Sequence, residues 1–241
     1  MKKDLIILAL TSLILNVSCK KINETQNPSK TTQTNRTMAL ELEDDAANPN
    51  NPYDEIGRIH NNGLLYVQKT NGINNHNVGD IYAAAVEYAT ANGLSIPTED
   101  DFNKNVTKIS AGVDQYISNL SISGTAKNHI SVILNTLSDD DDSYAIRKSK
   151  VTEVETAVSA SALTATEKEM VLKVASTARY SAVYWINIDT GFDPVNDTDP
   201  QPYRIRLATD QEVRAAWRAI YDAAGAIFGN VIQSIGLSAF A

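Results

Sequence analysis

One cysteine, three histidines and a few groups of carboxylates are the side chains of this 241-residue chain whose types and spacing could do chemistry. Cys19 ends the stretch Asn16-Val17-Ser18-Cys19, where small residues precede a thiol in the manner needed for S-acylation followed by removal of everything upstream. His60 and Asn61 follow Asp54 and Glu55 at short spacing, so an imidazole with an amide and a carboxylate near it could ligate or pass a proton. Further on, Asp189, Asp193, Asp197 and Asp199 alternate along a stretch that also holds Gly191 and Pro194. Several carboxylates on an irregular backbone are the donors calcium prefers. The spacing is not that of an EF-hand, and Asx-turns explain the same residues without an ion.

Other chemistries find little support. The histidines His60, His76 and His129 show no paired spacing of the HExxH kind, so no zinc site is expected. There is no G-x-S-x-G elbow and no glycine-rich phosphate loop. The formal charge of −8 argues against nucleic acid, which selects basic surfaces. With Cys19 acylated, no thiol remains for disulfides, thiolate catalysis or metal binding.

The segment before Cys19 explains the thiol. Lys2 and Lys3 form a short basic start, and residues 5–15 are apolar except for Thr11 and Ser12. A membrane-spanning helix needs about 20 apolar residues, so this run has the length of an export signal instead. Asn16 departs from the aliphatic residue usual three places before a lipidated cysteine. Residues 1–18 are therefore expected to be a lipoprotein signal peptide, with Cys19 carrying acyl chains that hold the chain to a membrane of the cell envelope, the outer membrane of a Gram-negative bacterium. Residues 19–50, rich in Lys, Asn, Thr, Gln and Ser, read as a flexible tether.

From residue 51 to 241 the apolar residues recur at helical spacing, which predicts an all-α, irregular bundle of six to seven helices. Asn51 with Pro52 has the chemistry of an N-cap and first helical residue, and Tyr53, Ile56, His60, Leu64 and Val67 share a face. A second helix is expected over 80–92, closed by Gly93. A long third, capped by Thr98 with Asp101, runs to about residue 120. A fourth centres on Ile130, Ile133, Leu134 and Leu137, and a fifth over 143–160 turns Tyr144, Ile146, Val151, Val154 and Val158 inward. Thr164 or Thr166 caps a sixth, with Glu167 three after the first, and this helix gives way to a loop near Asn187. Residues 184–188 and 203–207 are also compatible with a short β-ribbon. Thr209 with Glu212 caps the last helix.

The stretch Asn51-Pro52-Tyr53-Asp54-Glu55-Ile56-Gly57-Arg58-Ile59-His60-Asn61 resembles one shared by uncharacterised exported proteins and lipoproteins of the Bacteroidota, N-P-[YF]-D-x-[IVL]-G-x-x-H-N. The resemblance implies an exported helical domain and no particular activity. Within it, Gly57 inside a helix costs about 1 kcal/mol relative to Ala, so it is expected to permit a close helix crossing. A buried His60 needs partners for its ring nitrogens, either as a structural knot or as part of a site.

Residues 223–241 are apolar and carry Gly225 and Gly229 at GxxxG spacing, but Asp222, Asn230 and Gln233 argue against a membrane span. A terminal helix buried in the bundle is expected, with a tail that inserts into a partner or lipid surface as the other reading. Three functions follow: a non-enzymatic binding or structural module facing an envelope protein or glycan, a hydrolase built on His60, or a membrane-active protein acting through 223–241.

Overall fold

The computed structural model describes residues 45–72, 77–139, 142–189, 210–226 and 232–235, with the backbone alone at 187–189 and 210–217. Among these residues the protein is all-α. The helices are α1 (Glu55–Asn71), α2 (Val78–Asn92), α3 (Glu99–Ser110), α4 (Val113–Ser118), α5 (Gly124–Leu137), α6 (Tyr144–Ala160), α7 (Ala165–Asp189) and α8 (Asp210–Ala226), with a further helical turn at 232–235. The signal peptide, Cys19, most of the tether, His76 and the carboxylates Asp193, Asp197 and Asp199 lie outside the described residues.

Helix α7 is the axis of the fold. It packs most extensively against α8 and also touches α1, α5 and α6. From Val174 to Ile186 every residue is buried, Ser176, Thr177, Arg179 and Ser181 included. A helix surrounded on all sides has no solvent face on which to place its polar residues. Ser176, Arg179 and Ser181 therefore find their partners inside the protein, and the Thr177 hydroxyl is buried without one. The strand reading of residues 184–188 is thereby corrected: α7 continues to Asp189, so no ribbon begins there, and its other half, residues 203–207, is outside the described residues. Burial on every face had removed the alternation by which strand and helix are told apart.

Capping chemistry sets most other boundaries. Asn77 accepts from the backbone N–H groups of Gly79 and Asp80 at the start of α2, and Gly93, with φ of 65°, closes it. Thr98 and Asp101 form a reciprocal box, as do Thr164 and Glu167. Three expectations need correction. Asn51 does not cap α1, which starts at Glu55; its side chain instead accepts from the Tyr53 N–H at 2.8 Å in an Asx-turn that includes Pro52. The single helix expected to residue 120 is two, because Gly112 adopts φ of 145°, a conformation glycine accepts and other residues avoid. Ile146 is 46 % exposed, and α6 buries Arg147 and Glu155 in addition to Tyr144, Val151 and Val158.

The folded unit also begins earlier than composition suggests. Ala46, Asn48 and Asn51 are buried, so the chain is fastened to the domain from residue 46 onward. At the other end, Ala223, Ala224, Ala226, Ile232 and Ile235 are all core. No helix among the described residues is long and apolar enough to cross a membrane.

Candidate functional site

Two buried polar clusters lie where α1 meets α7, and the Asn51–Asn61 motif feeds both. The first is a clamp around Arg179. Its guanidinium reaches Glu155 Oε1 through Nε at 3.3 Å and Nη2 at 3.0 Å, and it also pairs with Asp54 and with the Ala46 carbonyl oxygen. Asn48 and Asn51 donate from their amides to the two oxygens of Glu155, each at 2.6 Å, and Asn51 donates to the Leu172 carbonyl at 2.9 Å as well. Asp54 Oδ2 accepts from the Asn48 N–H and from the Tyr180 hydroxyl, both at 3.1 Å. Burial alone would disfavour the charge on Arg179, but the Glu155 and Asp54 carboxylates outweigh it and hold the guanidinium protonated.

The spacing of the motif is the spacing of this contact. Asn51 meets Leu172, Gly57 meets Ser176, and Asn61 Nδ2 donates to the Tyr180 carbonyl at 2.9 Å, so successive turns of one chain dock on successive turns of α7. Gly57 allows the approach: its N–H donates to Ser176 Oγ at 3.0 Å, and a Cβ there would fall on the Tyr180 ring and within 2.7 Å of the Ser176 carbonyl oxygen. The close crossing expected from Gly57 is present.

The second cluster surrounds His60. The imidazole is 0 % exposed, as is Asp222 of α8. Ser234 Oγ lies 2.9 Å from His60 Nδ1 and donates to the Asp222 carbonyl oxygen at 2.7 Å. With its proton directed there, the hydroxyl has only acceptor capacity left for Nδ1. His60 Nε2 faces Asp222 Oδ2 at 3.6 Å, beyond hydrogen-bond reach. That same oxygen accepts from Ser181 Oγ and, at 2.9 Å, from Trp185 Nε1. Beside it the Tyr184 hydroxyl is pushed to a higher pKa by burial and by the Asp222 charge.

Carboxylate, imidazole and hydroxyl thus stand in the order used by nucleophilic triads. The resemblance stops at composition: the serine proton points to a main-chain carbonyl and not to the imidazole, and all the participants are enclosed. What this arrangement does chemically is hold α1, α7, α8 and the 232–235 turn together.

The structure does not assemble the set expected around His60. Asp54 is committed to Arg179 and Tyr180, Glu55 pairs with Arg58 at the surface, and Asn61 bonds main chain. The partners that His60 does have, Asp222 and Ser234, were not picked out as its partners by spacing, being more than 160 positions away in sequence. Of the calcium candidates, Asp189 is the last residue of α7 and the other three lie outside the described residues. No group of three or more histidine, cysteine or acidic side chains that could hold a metal occurs among the described residues.

Comparison with known proteins finds no matching family model, no matching curated protein and no matching solved structure.

Proposed function

We propose that this chain is a lipid-anchored module of the cell envelope with a non-enzymatic binding or structural role, exported by residues 1–18, acylated at Cys19 and held off the membrane by the segment up to residue 44. The observation that carries this reading is the clamp at the point where the tether would enter the domain. Ala46, Asn48, Asn51 and Asp54 are gripped by Arg179 and Glu155 of two different helices, an attachment suited to a domain pulled on through its N-terminus. His60, Asn61 and Asp54, the side chains that could have served a hydrolase, are enclosed at helix contacts, and each makes a hydrogen bond there, which weighs against catalysis by them. The partner we infer is an envelope protein or glycan; the acidic charge disfavours nucleic acid.

Labelling of growing cells with radioactive palmitate tests the anchor. Incorporation that disappears in Cys19→Ala supports it, and absence of label in the wild type overturns it. Capture of envelope components by the purified domain, with and without calcium, tests the binding role and the Asp189–Asp199 stretch together. Turnover of an envelope substrate that is abolished by His60→Gln, in a variant that remains folded, would replace the module with an enzyme.

A further inference from the structure

The two ends of the domain are fastened in very different ways. In the N-terminal clamp every oxygen of Asp54 and Glu155 and every nitrogen of Arg179 has a partner. The turn at 232–235 is buried just as deeply, and Ile235 sits against Gly63, where a Cβ would collide with it and come within 2.9 Å of the Tyr88 ring. Ser234 Oγ bonds across this junction to His60 Nδ1 and to the Asp222 carbonyl oxygen, yet Gln233 beside it buries both amide atoms without a hydrogen bond, and Nε2 of His60 and Oδ1 of Asp222 lack one as well. A buried amide with neither atom bonded is unusual, because a buried donor or acceptor normally finds a partner.

Separation of this turn from α1 and α8 returns both amide atoms of Gln233 to water and frees His60 Nδ1 from Ser234. The apolar contacts of Ile232 and Ile235 and the two hydrogen bonds of Ser234 oppose separation, and the gain in solvation of Gln233 favours it, so opening here costs less than the buried area alone implies. We propose that residues 232–235 form a releasable latch, which undocks while the remaining helices stay folded and so uncovers His60 and Asp222. Local openings of this kind take place below the free energy of global unfolding where contacts are least satisfied. The inference is independent of the anchoring proposal, since it rests on the junction alone.

The test uses the full domain and two readouts: amide exchange of residues 232–235 compared with α7, and acylation of His60 by diethyl pyrocarbonate with His129 as the internal reference. The latch predicts exchange at 232–235 faster than in α7 by about tenfold or more, with His60 acylated at the same opening rate. Gln233→Leu, which removes the two amide atoms, should slow both by about tenfold. Ile235→Ala should speed both and leave α7 exchange unchanged. The proposal is overturned if His60 reacts only at the rate of global unfolding, if Gln233→Leu leaves the rates unchanged or raises them, or if Ile235→Ala accelerates α7 to the same extent.

Discussion

Arg179 holds Glu155 through two of its nitrogens at one carboxylate oxygen, Nε at 3.3 Å and Nη2 at 3.0 Å, and both side chains are enclosed by the bundle. A buried pair of this kind adds little net stability compared with an apolar pair of the same volume, but removing one member strands the other. Glu155→Ala should therefore lower the unfolding free energy by about 3–5 kcal/mol, measured in urea. A loss below about 1 kcal/mol would mean that Asp54 alone can neutralise the guanidinium.

Asn51 tests the same clamp from its N-terminal side. Asn51→Ala removes donors to Glu155 and to the Leu172 carbonyl and dissolves the Asx-turn at Tyr53. A cost of about 1–3 kcal/mol is expected, with protease cleavage appearing within 45–54 before the helices are attacked. The exposed neighbour Pro52→Ala should stay within about 0.5 kcal/mol of wild type. Equal effects at the two positions would show that the amide contacts do not matter.

Gly57 and Gly124 separate close approach from helix propensity. Alanine is the better helix former, so Gly124→Ala, with nothing within 4 Å of the new methyl, should be neutral or slightly stabilising. At Gly57 the same methyl meets the Tyr180 ring and the Ser176 carbonyl, and the expected cost is about 1–3 kcal/mol despite the propensity gain. Thermal melts of the two variants that move in the same direction would refute the close crossing as the reason for this glycine.

Glu167 gives a pH signature. The Ser123 N–H, donating to it at 2.7 Å, together with the Thr164 hydroxyl and N–H, pulls its carboxyl down from 4.5 to about 2. A carboxyl depressed by folding stabilises the fold above its unfolded value, and that contribution is lost as pH falls through the folded one. Glu167→Gln should therefore lower Tm at neutral pH, and the gap from wild type should narrow between pH 4.5 and about 2. A gap that is constant across this window would assign the effect to packing.

Much of the local structure was legible in the residues because it depends on neighbours in the chain. Thr98 with Asp101, Thr164 with Glu167 and Gly93 as a helix stop all act over a few positions, so their chemistry could be read directly. The all-α class followed from apolar periodicity, and the need for Gly57 followed from its cost inside a helix. Reading failed where surroundings decide. Gly112 lies within the stretch expected to be one helix to about residue 120, and only its backbone angle shows a break. Ile146 had the right spacing but no helix to cover it. Residues 184–188 fitted a strand because a helix buried on every side has no polar face to betray its period.

The candidate site divides along the same line. By itself the sequence determined that His60 lies on the inner face of α1 and that Gly57 admits a neighbour, and the membrane anchor proposed at Cys19 rests on the same kind of local pattern. Those are properties of short segments. Only the tertiary structure decided that His60 meets Asp222 and Ser234, and that Asp54 serves Arg179 and not the imidazole. A buried charge or ring accepts whichever partner the packing of distant helices brings within about 3 Å, and a single sequence carries no measure of that distance.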